Sequence, residues 1–520
     1  MVWLVWALAG LLQAFSLAWP LAGWVLPAGE PVAWLQCVSL GVLVYGLRQS
    51  AGWRMAAVRA WVFAIAWLAG TFWWLFISMH TYGGLAAPLA AAAVLALAAF
   101  LGLYYAAVGA VFWRWRDASV LVQVAVFSAL WTLAELARGS WFTGFPWGAG
   151  GYAQADALGF LAPWVGVYGL GAVSAAMAAL GAAVVPGRRA FKRGQASAWL
   201  VLAGLLCLLL PGTGRWLGEH MPQFTHGVGV LPVTLLQGNI PQNEKFEAGS
   251  GVPLALQWYG EQFRQALAQD AATLVVAPET AIPLLPHEMD PAYWRALLQA
   301  VAAGKSALML GLPLGNWQDG FTNSVAGWTP EQLAMYRYDK HHLVPFGEFI
   351  PPFFRWFTSL MNIPQGDFNR GTLAQPAMVW SGQHIAPNVC YEDLFGEELA
   401  AGFVDAALAP TVMVNVSNLA WFGDSVAIDQ HRHISRMRAL ELERPMLRAT
   451  NTGATVVIDH LGRVTHELPR LTRDVLHAEV QGRQGLTPYA YWAGRWGQWP
   501  LGIFCGLMLV LAWRRRSARD

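Results

Sequence analysis

The strongest constraint on the fold is a set of apolar runs of membrane-spanning length that flank one long block of mixed composition. A hydrocarbon core of about 30 Å needs about 20 apolar residues per helix. Only 12% of the 520 residues are charged, against roughly 25% in an ordinary soluble domain. The predicted spans are 2–24, 31–47, 55–79, 85–113, 119–136, 161–185, 198–211 and 496–513. The sequence therefore predicts a membrane protein with eight transmembrane α-helices.

These runs divide the chain into three predicted parts. A transmembrane bundle of seven spans occupies 1–214, a mixed domain occupies 215–492, and a last helix with a basic tail occupies 493–520. Arginine and lysine are concentrated after spans two, four, six and eight, and positive residues resist translocation. We therefore expect both termini in the cytoplasm and the mixed domain on the opposite side of the membrane.

Strand-like runs alternate with helical patterns in the mixed domain, which predicts a layered α/β fold. Helices are expected at 254–270, 291–304 and 429–445, the last with a mixed-charge face toward solvent. The aromatic and aliphatic run 346–368 has two readings of equal weight. In the first, it is an apolar flap that dips into the membrane, because a large exposed apolar patch usually marks a surface that contacts a partner or a membrane. In the second, it is a buried connection within the core.

Cys390 is the only cysteine in the mixed domain, whereas Cys37, Cys207 and Cys505 lie in apolar runs as small buried hydrophobes. It follows a strand-like run and precedes acidic residues typical of a helix start. This pattern predicts a nucleophile elbow. The helix N-terminus would lower the thiol pKa, and the Tyr391 N–H would stabilise an oxyanion.

Two residues upstream of the cysteine supply the groups that a catalytic thiol needs. Glu279 closes the run TLVVAPET and is either a catalytic acid and base or the first residue of a helix. Lys340 is either solvated, as most lysines are, or faces the thiol and stabilises the thiolate and an oxyanion. Glu348 either holds Lys340 in place or is a surface acid.

Other charged residues also have simple structural readings. Glu392 and Asp393 can serve only to balance a helix dipole. Glu135 and Arg138 are three residues apart on one helical face and can form an ion pair. Arg138 can instead bind a phospholipid headgroup, because ionisable residues at membrane depth tend to be paired or functional.

Several functions are excluded by the absence of their patterns. The pairs His341/His342 and His431/His433 lack the spacing of metal ligands, so no metal site is expected. No phosphate-binding glycine loop and no other cofactor motif occurs. A net charge of +2 without a basic aromatic stripe argues against nucleic acid.

An ordered set of strings, LLQGNIPQ, VAPETAIP, YDKHHLVPFGEFIP, NVCYEDLF, VNVSNLAWFGDS and RMRALELERPMLRATNTG, resembles the nitrilase superfamily of carbon–nitrogen hydrolases. That resemblance implies an α-β-β-α sandwich with a Glu-Lys-Cys triad. Together with the predicted spans and the string FTGFPWGAGGYAQ, it resembles the apolipoprotein N-acyltransferase family of bacterial inner membranes. Such an enzyme would be multi-pass, with its catalytic domain in the periplasm.

The resemblance also implies roles for individual residues. Glu279 would be the general base and acid, Lys340 the oxyanion stabiliser and Cys390 the acylated nucleophile. The further matching or supporting positions are Glu348, Tyr391, Glu392, Phe246, which stands where relatives often have tryptophan, and Trp421, which is expected among lipid tails.

The implied partners are the lipid bilayer, a phospholipid acyl donor, expected to be phosphatidylethanolamine, and diacylglyceryl-modified apolipoproteins as acceptors. Two alternatives remain open from the sequence. One is a membrane-tethered amidase or nitrilase that acts on a small soluble amide with the same triad. The other is a non-enzymatic lipoprotein-binding or transport protein.

Overall fold

The computed structural model describes residues 2–23, 26–184, 212–351 and 367–517. The chain forms two compact units. The first unit comprises Met1–Phe76, Ala87–Pro222 and Trp496–Asp520, and the second comprises Ile77–Ala86 and Gln223–Arg495. The predicted span 198–211 and most of the predicted flap 346–368 lie outside the described residues.

The first unit is helical because its apolar runs satisfy their backbone hydrogen bonds internally, as a segment in lipid must. Its helices are α1 Val2–Leu17, α2 Ala33–Arg48, α3 Trp53–Thr71, α4 Ala87–Phe112, α5 Val120–Ser140, α6 Ala162–Val184, α7 Thr213–His220 and a C-terminal helix Trp499–Ser517. Buried aromatic rings join α3, α4 and α5. Trp67 stacks on Trp131 with centroids 5.5 Å apart and meets the edge of Tyr105 at 4.9 Å.

Three described stretches have the length and apolarity of membrane spans, namely Ala87–Trp115, Val120–Thr143 and Gly159–Ala183. Two broken helix pairs also qualify if each pair is counted as one span, which gives up to five. Helices α1 and α2 are apolar but shorter. Among the described residues, the structure thus supports three to five candidate spans, judged by length and composition, where the sequence predicts eight.

The second unit contains two six-stranded sheets. The strands are β1 Thr225–Gln237, β2 Leu274–Val276, β3 Ala307–Asn316, β4 Gly320–Thr329, β5 Gln332–Asp339, β6 Met378–Trp380, β7 Gln383–Val389, β8 Val412–Ser417, β9 Met446–Thr450, β10 Val456–Ile458, β11 Val464–Glu467 and β12 Asp474–Gly485. Their order is β12-β1-β2-β3-β4-β5 in one sheet and β11-β10-β9-β8-β7-β6 in the other.

Alternating apolar residues pack the two sheets face to face. On β8, Val412, Val414 and Val416 join the core between the sheets, whereas Met413 points to the outer face. Every residue of β8 is buried, and a strand that is buried on both faces is mostly apolar in sequence, as β8 is. Helices α8 Gly251–Leu267 and α9 Pro291–Ala303 cover the first sheet.

Helices α10 Ala427–Leu442 and α11 Pro488–Trp496 cover the second sheet, which completes the α-β-β-α sandwich. The mixed-charge face predicted for α10 is not solvated, because every residue of this helix is buried. Its charges are paired inside the domain. Arg438, for example, donates to Glu441 at 2.9 Å.

Strand direction brings the candidate residues to one edge. Strands β1, β2 and β3 are parallel, and two antiparallel pairings make β5 run the same way. In the other sheet, β7 and β8 are parallel. Because the carboxyl ends of parallel strands meet at one edge, the segments after β2, β5, β7 and β8 can build a common site.

Candidate active site

Lys340 directly follows β5 and lies between two carboxylates. Its Nζ is 2.9 Å from Glu348 Oε2 and 3.8 Å from Glu279 Oε1, and the lysine side chain is only 1% exposed. Burial lowers the pKa of Lys340, but the negative charges of Glu348 and Glu279 outweigh burial and raise its pKa above the usual value. The side chain is therefore a fixed ammonium, and it is not the solvated lysine of the simpler reading.

Glu279 sits in the turn after β2, where no helix begins, so the reading as a helix N-terminal residue is wrong. Its Oε1 accepts a hydrogen bond from Asn323 Nδ2 at 2.7 Å, and its Oε2 accepts one from the Asn418 N–H at 2.9 Å. Asn323 also donates to Glu348 Oε1 at 2.7 Å. One amide thus aligns both carboxylates, a role the sequence analysis missed.

Cys390 follows β7 and adopts a left-handed φ of 53° at the start of the 3-10 turn Cys390–Leu394. Burial and then the negative charge of Glu279 raise the pKa of its thiol to about 12, although the Lys340 ammonium acts in the opposite direction. The expected lowering of this pKa by a helix N-terminus is wrong. A single 3-10 turn has little dipole, and burial dominates. The resting group is a thiol that needs a base.

Glu392 joins the turn that carries the cysteine to the loop that carries the lysine. It accepts hydrogen bonds from the N–H groups of Val389 and His341, both at 2.6 Å, and from the Tyr338 hydroxyl at 2.9 Å. Asp393 is fully buried and accepts from His431 and from Arg448. The simple reading of both acids as a response to a helix dipole is therefore wrong.

Lys245 is a further charged group at the site that the sequence analysis did not single out. Its side chain is 2% exposed, and Nζ donates to the Glu279 carbonyl at 3.1 Å. Burial lowers its pKa to about 8, against the raising effect of Glu279 and Cys390. The neighbouring Phe246 ring is 52% exposed, with its centroid 6.0 Å from Nζ. A lysine is rarely buried without a function or a partner, so its burial marks Lys245 as a site residue, and nothing in the sequence alone indicated that burial.

Two further predicted residues, Tyr391 and Trp421, lie in the α/β unit. Tyr391 is buried beside Phe395, with ring centroids 5.3 Å apart. Trp421 lies in the turn after β8 and meets the Tyr82 ring at 5.7 Å. These positions belong to the α/β unit, and Tyr391 is adjacent to the cysteine.

Arg138 belongs to the helical unit, whereas the residues described above belong to the α/β unit. Its side chain is 1% exposed, and it donates to the Tyr105 hydroxyl and to the carbonyls of Phe145 and Trp147 at 3.0, 2.6 and 2.8 Å. Glu135 accepts instead from the Gly150 N–H at 2.8 Å. A guanidinium that binds a phospholipid headgroup must be exposed, but that of Arg138 is buried. It instead binds backbone carbonyls of the loop after α5.

The arrangement combines a thiol, a carboxylate that can take its proton and a fixed cation. Such a set supports nucleophilic acyl transfer, because the carboxylate activates the thiol and the cation stabilises the oxyanion. Within the described ranges, no group of three or more His, Cys, Asp or Glu side chains could hold a metal ion.

Comparisons with known proteins match both parts of the chain. Residues 9–180 match the apolipoprotein N-acyltransferase N-terminal domain, and residues 233–489 match the carbon–nitrogen hydrolase family. A protein from Verminephrobacter eiseniae named apolipoprotein N-acyltransferase is 56% identical over 95% of this chain and 93% of its own. The chain belongs to the apolipoprotein N-acyltransferase family.

Another relative with that name, from Ralstonia nicotianae, is 44% identical over 93% of this chain and 90% of its own. Among solved structures, the C. elegans NitFhit protein is 17% identical, with a TM-score of 0.39, over 49% of this chain and 62% of that chain. The family match at 233–489 confirms the predicted nitrilase-type α/β fold.

Proposed function

We propose that this chain transfers an acyl group from a membrane phospholipid, through a thioester on Cys390, to the N-terminal α-amino group of diacylglyceryl-cysteine apolipoproteins. The observation that carries the proposal is the buried Lys340 ammonium between Glu279 and Glu348, at the strand edge that also bears the cysteine. The chain's similarity over nearly its whole length to proteins named apolipoprotein N-acyltransferase supports the same reaction.

In the first half-reaction, Glu279 takes the proton of the Cys390 thiol, and the thiolate attacks an ester carbonyl of the phospholipid. Lys340 stabilises the oxyanion of the tetrahedral intermediate, a contribution that is worth about 3 kcal/mol in comparable sites. The carbon–oxygen bond then breaks, and Glu279 returns its proton to the leaving alkoxide. The products are a lysophospholipid and the Cys390 thioester.

In the second half-reaction, the α-amino group of the apolipoprotein attacks the thioester. Glu279 takes a proton from the attacking nitrogen, and Lys340 again stabilises the oxyanion. The carbon–sulfur bond breaks, the thiolate recovers its proton from Glu279, and an amide is released. Both steps use the same three groups in reversed proton roles, as general acid–base catalysis requires.

The membrane setting completes the proposal. We assign a bundle to 1–214, a periplasmic catalytic domain to 215–492 and a last span with a cytoplasmic tail to 493–520, with eight spans in a bacterial inner membrane. Phosphatidylethanolamine is the proposed donor. A thioester beside lipid is protected from hydrolysis, because exclusion of water suppresses side reactions of such intermediates.

The decisive experiment separates the two half-reactions. Purified protein is incubated with phosphatidylethanolamine of known acyl chains, and the intact mass is measured. We expect one acyl adduct on Cys390 that is cleaved by hydroxylamine, and we expect none in Cys390→Ala. Addition of a diacylglyceryl-cysteine peptide should discharge the adduct and yield the N-acyl peptide.

The same assay tests the two alternatives. Hydrolysis of small amides without any lipid-derived adduct would point to an amidase. Peptide binding that is unchanged in Cys390→Ala, with no adduct in the wild type, would point to a binding protein. Replacing the phosphatidylethanolamine headgroup while keeping its acyl chains tests the proposed donor.

A further inference from the structure

The backbone carbonyl of Cys390 is held by two side chains. Asn415 Nδ2 lies 3.2 Å from this oxygen, and His431 Nε2 lies 3.1 Å from it. Cys390 has a φ of 53°, a conformation that a residue with a Cβ adopts at a cost of about 1–3 kcal/mol. Two contacts to the same carbonyl can hold this residue in that conformation.

His431 is fixed in the tautomer that donates to the carbonyl. Arg448 Nη2 is 3.1 Å from His431 Nδ1, and a guanidinium only donates. Nδ1 is therefore the acceptor, and the ring proton is on Nε2. That N–H is shared between the Cys390 carbonyl and Asp393 Oδ1, which is 2.7 Å away.

The groups around His431 are buried and balanced in charge. Asp393 also accepts from Arg448 Nη1 at 3.2 Å and from the Ser435 hydroxyl, and all four side chains are 0% exposed. Burial lowers the pKa of His431 and outweighs the opposing effect of Asp393. The imidazole is thus neutral, so it donates through one nitrogen only.

The direction of this carbonyl has a consequence for the next residue. In a planar trans peptide, the C=O of one residue and the N–H of the following residue point in opposite directions. A Cys390 carbonyl that faces Asn415 and His431 therefore directs the Tyr391 N–H away from them. A backbone N–H next to a nucleophile is the kind of donor that stabilises an oxyanion.

We propose that His431 is a positioning residue for acyl transfer: it fixes the Cys390 carbonyl and thereby sets the direction of the Tyr391 N–H toward the acyl oxyanion. Arg448, Asp393 and Ser435 keep it in the donating tautomer. This inference rests on the proposed function, because the oxyanion forms on the acyl carbon that Cys390 attacks.

The test compares His431→Leu, which removes the donor, with His431→Gln, whose side-chain amide N–H can replace it. Two rates are measured on the full chain in detergent with phosphatidylethanolamine: acylation of Cys390 and its alkylation by iodoacetamide. We expect Leu to slow acylation by up to about 100-fold, which is the cost of losing the Tyr391 N–H as an oxyanion donor, while alkylation stays within threefold. The Gln variant should recover at least about tenfold.

His433→Leu is the matched control. His433 is on the same helix and is 1% exposed, but its Nδ1 meets Arg436 at 3.1 Å rather than the cysteine. Its loss should leave the ratio of acylation to alkylation unchanged. If His431→Leu does not fold, Asn415→Leu removes the other donor and carries the same expectation.

Two results would overturn the inference. One is acylation in His431→Leu within threefold of the wild type. The other is an equal loss of acylation and alkylation, which would mean that the residue acts on the thiol itself. If the wild type forms no acyl adduct at all, the proposed function fails instead, so the two failures are distinguishable.

Discussion

At the scale of single residues, the charges around Cys390 act on thiol reactivity and on acyl transfer in different directions. Glu279 raises the pKa of the thiol and Lys340 lowers it. Only the thiolate is nucleophilic. We therefore expect Glu279→Gln to accelerate alkylation of Cys390 above pH 9 and yet to slow acyl transfer at least about 100-fold, because the base is gone.

Lys340→Met should instead slow both reactions, since the thiolate and the oxyanion lose the same cation. Rates of iodoacetamide alkylation from pH 7 to 11, alongside acylation by phospholipid, measure both effects. Parallel changes of the two rates in Glu279→Gln would contradict the assignment of Glu279 as the proton acceptor.

Lys245 should lower the free energy of unfolding at neutral pH. Burial lowers its pKa from 10.5 to about 8, a shift that corresponds to about 3 kcal/mol. The unfolded chain binds this proton up to a pH near 10.5 and the folded chain only up to about 8, so this residue makes stability rise with pH within that window.

We expect Lys245→Met to melt at a higher temperature than the wild type at pH 7, with a smaller difference at pH 10, and to transfer acyl groups more slowly. The loss of the contact to the Glu279 carbonyl is the reason for the slower transfer. Thermal melts in detergent at both pH values check this. Lys305→Met, on an exposed lysine of the same unit, is the control, and an equal gain there would contradict the prediction.

At the scale of elements, Glu392 ties the end of β7 to the end of β5. Hydrogen bonds to a charged group contribute about 1.5–3 kcal/mol each, and this carboxylate accepts from Val389, His341 and Tyr338. Glu392→Gln should lower the melting temperature and slow acylation, because Lys340 and Cys390 lose their common anchor. Glu331→Gln, in the exposed turn between β4 and β5, should change neither. Full acylation in Glu392→Gln would contradict this link.

Helix α10 shows where prediction from the sequence failed. The run that forms α10 has the helical spacing that was predicted, but its charged face is buried. Its partners lie far away in sequence: Asp393 for His431, and Glu467 for Arg432. The spacing of apolar residues predicts that a segment is helical, but it does not predict which polar groups of other segments its side chains contact. Buried ion pairs and hydrogen bonds therefore cannot be predicted from one segment alone.

At the scale of the whole molecule, the fold brings together strand ends that the sequence already marked. Glu279 closes one predicted strand-like run and Cys390 follows another, whereas Lys340 was found through the order of the motifs, because the strand before it, β5, was not predicted. Lys245 and Asn323 carried no comparable mark. They become site residues only because β1 ends beside β2 and β4 begins at the same edge, which is a property of sheet order.

The distribution of positive charge over the whole chain predicts how the protein is oriented across the membrane. Arg48, Arg54 and Arg59 surround the connection between α2 and α3, and Arg114 and Arg116 precede α5. Short loops rich in arginine stay in the cytoplasm. An alkaline phosphatase reporter, which needs disulfides and so an oxidising compartment, should be inactive when fused after Ala51 or Ala118.

The same reporter should be active when it is fused after Gly249, in the exposed segment before α8. A fusion after Arg516 should again be inactive and serves as the internal control. The four fusions are interpreted together, because the opposite orientation in the membrane would make every inactive fusion active and the active one inactive. Activity after Ala118 together with inactivity after Gly249 would place the catalytic unit in the cytoplasm, where translocated lipoproteins could not reach Cys390.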